Sequence, residues 1–275
     1  MAGISQMVER VGGAIAFEVI DHMPPWLSPA PTVLFHHGIG ARSACWDGWT
    51  PALAGRHRLV RFDMRGHGAS PLPAGFRLSL SALVDDVLAV ADATDTDRFH
   101  LVGESTGGTV ALALAARLPE RVLTVTVSNG AHRGGSIRNL EPWRRIIREE
   151  GMAAWSAYMM DQRFFEGALT REMRRWYETQ QAGADPDAVL GVAAMLVAVD
   201  LLPELDRVTC PVLLLHPDSS PFIPVETMAE LKRALPDARL QVIAHARHGL
   251  PFSHAAECAA AVAGFIDGTS CAEQP

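Results

Sequence analysis

The sequence predicts an α/β fold: a mostly parallel β-sheet flanked by helices, with one all-helical insert. Three observations carry this reading. Short Val- and Leu-rich runs recur along the chain without clean polar alternation, as strands buried on both faces require. Segments with helical spacing separate those runs, and strands alternating with helices imply right-handed crossovers and parallel pairing. One long stretch, residues 132–206, contains no convincing strand.

The elements follow in order. MVERV and AIAFEVI flank Gly12-Gly13, the signal for a hairpin with a two-residue turn. Buried strands are expected at residues 32–36 (TVLFH), 59–63 (LVRFD), 99–102 (FHLV), 123–128 (LTVTVS), 212–216 (VLLLH) and 240–244 (LQVIA). Between them, residues 80–93 place Leu83, Val84, Val87, Leu88, Val90 and Ala91 at helical spacing. Residues 106–118 are rich in Ala and Leu and stop at Pro119. Residues 225–235 and 255–266 read as two further helices. The strandless stretch holds Trp143, Trp155, Trp176, Tyr158, Tyr177 and the charged segments WRRIIREE and REMRRWYE. It reads as several helices inserted after the 123–128 strand, an arrangement expected to form a lid or cap. The chain thus divides into a core of residues 1–131 and 207–268, a helical cap of residues 132–206, and a frayed tail of residues 269–275.

Composition narrows the function. The chain has 275 residues, 48% of them hydrophobic, enough for one large core with an inserted sub-domain. A formal charge of -7 argues against nucleic acid, which selects for basic stripes. Cys45, Cys210, Cys258 and Cys271 form no CxxC pair and no small disulfide framework. They read as free thiols of a reducing, cytoplasmic setting. No segment has the character of a signal peptide or a membrane span; the most apolar helical stretch, residues 189–199, is short and is followed by Asp200. There is no HExxH, and the pairs His36/His37 and His245/His248 lack matching carboxylate or Cys spacing, so no metal is expected. No Walker-type loop or GxGxxG opens a helix, so no nucleotide cofactor is implied. The expected partner is a small-molecule substrate.

The chemistry concentrates in Gly103-Glu104-Ser105-Thr106-Gly107. Composition alone would produce Gly-x-Ser-x-Gly in roughly one chain in ten of this size, so the context decides. Here it lies between an apolar strand and a Gly-Gly-primed helix. A strand-to-helix turn this sharp strains the central residue and leaves no room for side chains two positions either side. The hydroxyl stands clear of the backbone, and the helix N-terminus beyond it favours developing negative charge. Ser105 is the candidate nucleophile and the Thr106 N–H one oxyanion donor.

On these residues the chain resembles the α/β-hydrolase superfamily, and further segments extend the likeness. His37-Gly38-Ile39-Gly40 resembles that family's HGxG turn, and residues 63–70 (DMRGHGAS) its DxRGHGxS turn. The resemblance places the second oxyanion donor at Ile39 and the catalytic histidine at His248, in the loop before the last helix. His245, in the same loop, is the alternative, while His36 and His37 read as structural. Asp63 is expected to satisfy backbone donors. In the family an Asp follows the strand that here is residues 212–216, in a pattern like GxxDPxxP; its place holds Ser220. Asp218, two residues earlier on that loop, is the expected acid of the triad. The position after the preceding strand offers only Ser128 and Asn129, and Asp200 of the insert is a third alternative. The expectation is therefore a cofactor-free serine hydrolase that cleaves a small ester, lactone or amide through a Ser105 acyl-enzyme. Rivals on the same fold are carbon–carbon bond hydrolysis, a cofactor-free peroxidase-like reaction, and ligand binding without catalysis.

Overall fold

The computed structural model describes residues 6–270 except 11, 25, 27–30 and 139. Val11 of the hairpin reading, Cys271 and the end of the tail lie outside the described residues. Eight strands form one sheet: β1 (Gln6–Val8), β2 (Ile15–Ile20), β3 (Thr32–His36), β4 (Arg58–Phe62), β5 (Phe99–Glu104), β6 (Val122–Ser128), β7 (Val212–Pro217) and β8 (Ala238–Ile243). Their order across the sheet is β1-β2-β4-β3-β5-β6-β7-β8. β1 and β2 pair antiparallel, as does β2 with β4, and every later pairing is parallel. The hairpin forms, but its pairing begins at Val8–Ile15, so the connection is longer than the Gly12-Gly13 turn expected.

The helices are α1 (Thr50–Leu53), α2 (Leu80–Ala93), α3 (Thr106–Arg117), α4 (Glu141–Arg145), α5 (Met152–Arg163), α6 (Arg171–Ala182), α7 (Pro186–Val197), α8 (Val225–Ala234), α9 (Leu250–Ser253) and α10 (Ala255–Ser270). A period of two explains how the sheet is covered. Leu34, Leu101 and Leu214 enter one core, with residues of α2, α3 and α8. Their strand neighbours Val33, Phe35, Val102, Leu213 and Leu215 enter the other, with Trp46, Trp49, Leu53 and residues of α10. Both faces are dry, so the central strands need continuous apolar runs. α3 is buried along nearly its whole length, which is why it reads as Ala and Leu all round rather than as an amphipathic stripe.

Between β6 and β7 the chain forms only helical elements among the described residues. The base of this insert is closed by a bridge between Arg133 and Asp200 and by Leu201 N donating to His132 O (2.8 Å). Its helices start on real caps: Thr170 Oγ1 accepts from Met173 N (3.2 Å), and Asp185 Oδ1 from Asp187 N (2.8 Å) and Ala188 N (3.0 Å).

The chain reverses its direction of travel across the sheet between β3 and β5, since β4 lies on the outer side of β3. In open α/β sheets such a switch point, at the carboxyl ends of the strands, is where a crevice forms. β5 ends there at Glu104, immediately before Ser105.

Candidate active site

Ser105 is the N-cap of α3 with φ 53 and ψ -113, a strained conformation for a non-glycine residue. Packing leaves it no alternative. A Cβ on Gly103 would lie 2.2 Å from the Gly107 carbonyl carbon, and one on Gly107 would lie 2.1 Å from His36 O. Both glycines let the α3 N-terminus run tight against β5 and β3. Ser105 N donates to Ser128 O (2.7 Å), which ties the elbow to β6.

Ser105 Oγ is 3.1 Å from His248 Nε2. His248 is buried, with the Phe222 ring edge-on at 4.8 Å. Its loop is fixed from three sides. Asn129 Nδ2 donates to His248 O (2.6 Å), Gly249 N donates to Arg163 O (2.9 Å), and Arg247 lies over the Phe165 ring at 4.5 Å. His245 is exposed and plays no part in this contact.

The expected acid is corrected by the structure. Asp218 is exposed, and its carboxylate accepts from His245 N (2.9 Å) and Ala246 N (3.2 Å). It shapes the loop that carries His248 without touching the imidazole. Asp200 is exposed at the base of the insert, where its Oδ1 accepts from Leu202 N (3.0 Å). The atom that faces His248 Nδ1 is Ser220 Oγ, at 3.2 Å. The physical reason is one of reach: the turn after β7 brings residue 220, not 218, under the imidazole. Ser220 Oγ also accepts from Ile223 N (3.2 Å). A hydroxyl oxygen with two lone pairs accepts a second donor, so an Nδ1–H fits and leaves Nε2 free to take a proton.

Burial, reinforced by the Arg163 charge and by His216, holds the His248 imidazole well below its ordinary pKa. It is therefore neutral at pH 7, the form a base needs. Among the described residues no carboxylate is hydrogen-bonded to it.

The β3 loop lies against the elbow. A Cβ on Gly38 would stand 3.0 Å from Ser105 Cβ, Gly38 N donates to Glu104 Oε2 (3.3 Å), and Gly40 adopts φ +74. The α3 N-terminus presents the Thr106 N–H, which helix geometry leaves without an intrahelical acceptor. The neighbouring histidines are structural. His37 Nε2 accepts from Met64 N (2.8 Å) while its Nδ1 lies 2.8 Å from Gly38 O, and His36 Nδ1 lies 2.8 Å from His37 O. Asp63 accepts from Ser43 N (2.7 Å) and Ala69 N (2.8 Å). Among the described residues no group of three or more His, Cys, Asp or Glu side chains is arranged to hold a metal.

Two residues that sequence reasoning left without a role complete the site. Asn129, with φ 58, supports the histidine loop. Arg163, at the end of α5, is buried and lines the same cavity as Ser105, His248 and Ile39. Its one sequence signal is a charge between the apolar pairs Met159-Met160 and Phe164-Phe165.

The alpha/beta hydrolase family matches residues 33–261 of the sequence. The chain belongs to the alpha/beta hydrolase family. It is similar to the pimeloyl-[acyl-carrier protein] methyl ester esterase of Aeromonas hydrophila, 30% identical over 241 residues that cover 82% of this chain and 91% of that one. It is also similar to the 2-hydroxymuconate semialdehyde hydrolase of a Pseudomonas species, 27% identical with 84% of each chain covered. Among solved structures, the enol-lactonase from Burkholderia xenovorans superposes with a TM-score of 0.86 at 25% identity, covering 96% of this chain and all of that one. Like these alpha/beta hydrolases, the chain is a hydrolase. No helix among its described residues is long and apolar enough to cross a membrane.

Proposed function

We propose that this alpha/beta hydrolase cleaves a small carboxylic ester, lactone or amide through an acyl-enzyme on Ser105. The observation that carries the reading is the 3.1 Å approach of a neutral, buried His248 Nε2 to the hydroxyl of a strained elbow serine. His248 Nε2 takes the Ser105 proton as Oγ bonds to the substrate carbonyl carbon, and the carbonyl π pair moves onto oxygen. The Ile39 and Thr106 N–H groups receive that oxyanion; donors of this kind are commonly worth a factor of about 10² to 10³ each. Collapse breaks the bond to the leaving group, which takes the proton from Nε2. Water then repeats the sequence, giving its proton to Nε2, releasing the acid and restoring Ser105. Every proton moves between groups of this chain and the substrate, so no cofactor enters.

The helical insert acts as a cap. Its residues Trp143, Met159 and Leu196 close an apolar cavity over Ser105, with Phe222 and Ile223 from the loop after β7. That apolar lining suits a short, partly apolar acyl group. The names of the relatives, an esterase, a lactonase and a semialdehyde hydrolase, suit this class.

Ser220 in place of a carboxylate favours one rival, a ligand-binding member of the fold that has lost turnover. One experiment separates the two. Intact-mass analysis after fluorophosphonate treatment should give a single adduct on the wild type and none on Ser105→Ala, with hydrolysis of a short p-nitrophenyl ester lost in parallel. A well-folded wild type with neither adduct nor turnover supports the ligand-binding reading instead.

A further inference from the structure

The cavity over Ser105 is apolar apart from the serine, His248, Thr109 and one cation. Thr109 Oγ1 is engaged, donating to Ala131 O (2.7 Å). The cation is Arg163, 1% exposed. Its Nη2 donates to Ile39 O, and its Nη1 stands 3.6 Å from Glu104 Oε1, an ion pair without a hydrogen bond. Glu104 Oε2 is directed at Gly38 N. Arg163 Nε and Nη1 are buried with no hydrogen-bond acceptor among the described residues. The other titratable groups around the guanidinium are Tyr177 of α6, whose ring lies 5.7 Å away, Cys45 under the β3 loop, His67 and His248.

Buried N–H donors are almost always satisfied, and a charged one left open is costly. Two such donors on one guanidinium, on the wall of a small apolar cavity, call for a planar anion. A carboxylate matches the arginine fork; a lysine in this place would offer a point charge instead. The same cavity has a second deficit. His248 lacks the negative partner that a triad supplies, and Arg163 adds positive charge nearby.

We propose that Arg163 binds a carboxylate carried on the acyl part of the substrate, and that this bound anion supplies the negative charge near His248 that Ser220 does not. The substrate is then a short half-ester or lactone whose acyl chain ends in a carboxylate. The inference rests on Ser105 being the nucleophile. Binding offsets the part of the Arg163 charge that Glu104, 3.6 Å away without a hydrogen bond, leaves uncompensated, so the imidazolium formed on proton transfer meets less positive charge nearby. Neutral esters lack this assistance and react slowly, which also keeps the site from hydrolysing them indiscriminately.

The test compares mono-p-nitrophenyl glutarate with its terminal-amide isostere, on wild type, Arg163→Gln, Arg163→Lys and Ser220→Asp. A charge-assisted hydrogen bond is worth a factor of about 10 to 100, so wild-type kcat/KM should favour the carboxylate by that factor. In Arg163→Gln the ratio should fall to within about threefold of one, and Arg163→Lys should recover part of it. Because the ratio is internal to each variant, loss of folded protein does not move it. Ser220→Asp should shrink the ratio from the other side, by raising the neutral substrate more than the anionic one; a merely structural arginine predicts no such interaction. Free glutarate should also slow fluorophosphonate labelling of Ser105 in wild type and not in Arg163→Gln, a readout that needs no turnover. A wild-type ratio near one, a ratio kept in Arg163→Gln, or labelling indifferent to glutarate overturns the proposal while Ser105 still labels. Absence of any adduct overturns the Ser105 reading instead.

Discussion

Ser220→Asp restores the residue type that the fold usually places beneath its catalytic histidine, and its effect follows from distances. Ser220 Oγ lies 3.2 Å from His248 Nδ1 and 3.2 Å from Ile223 N. A carboxylate there would meet two donors, one on the imidazole and one on the backbone. An opposite charge within about 4–6 Å typically moves a titratable group by about 1–3 pKa units. Each unit is about 1.4 kcal/mol. On the proposed mechanism the same interaction stabilises the imidazolium that forms as Ser105 attacks, so kcat for a neutral ester should rise about 10- to 1000-fold. The gain stops short of the factor of about 10⁴ that a complete triad loses with its carboxylate. Aspartate is one bond longer than serine, and the turn at residue 220 is set for a hydroxyl.

The assay is kcat/KM against pH, from 4.5 to 9, for p-nitrophenyl butyrate. In wild type, burial and Arg163 hold His248 neutral well below its ordinary value. The base form is present above that depressed pKa, so the profile should show no acid limb near pH 6.5. In Ser220→Asp the carboxylate raises the pKa, and the limb should move upward with the faster rate. A folded variant with unchanged kcat and an unmoved limb would refute the argument that charge beneath His248 limits the wild type.

Three further outcomes are expected. Asp218→Asn should keep kcat within about threefold, because its carboxylate serves two loop N–H groups rather than His248; a loss approaching 10³-fold would return the acid's role to Asp218. Asn129→Gly keeps the φ of 58 without strain while deleting the 2.6 Å bond to His248 O; it should lower urea stability by about 1–3 kcal/mol and lower kcat with it. Stability should also fall in mild acid. Burial lowers His36, His67, His100 and His216 from 6.5 to about 4. Between those values the unfolded chain binds protons that the folded one does not, so stability is lost as pH falls below 6.5, by up to about 1.4 kcal/mol per histidine per pH unit. Equal urea midpoints at pH 7.5 and 5.5 would contradict this.

The parts legible in the sequence are those fixed by local backbone constraints. Gly103 and Gly107 are forced by contacts of 2.1–2.2 Å, and such a constraint writes itself into adjacent residues. The central strands were visible because both faces are dry, and β3 and α2 fall at residues 32–36 and 80–93 as expected. His248 was recognisable from its place before the last helices. The acid position was not, because which residue of a turn meets an imidazole depends on how two loops lie across β7 and β8. The motif pattern falls on Ser220, which carries no carboxylate, while Asp218, the nearest carboxylate on that turn, faces the backbone of residues 245 and 246. Arg163 leaves almost no trace in the sequence: one of two charges near the end of α5, it marks neither of its contacts, with Ile39 in the loop after β3 and with Glu104 of β5.

These gaps share a cause. Ser105, Ile39 and Thr106 sit on the rigid carboxyl end of the sheet, where their geometry is set by β3, β5 and α3. Arg163 comes from the insert, while Ser220 and His248 come from the loops after β7 and β8, and residues so far apart in the chain meet only in the folded protein. The elbow and the loop after β3 are built into the sheet, and on the proposed reading they present Ser105 and its oxyanion donors. What that serine acts on is decided by the charges the insert brings down to it. In this chain the insert brings a cation and the loop after β7 withholds an anion. Glu104 offsets that cation without hydrogen-bonding it, and a substrate carboxylate seated on Arg163 would lower the positive charge that the His248 imidazolium meets.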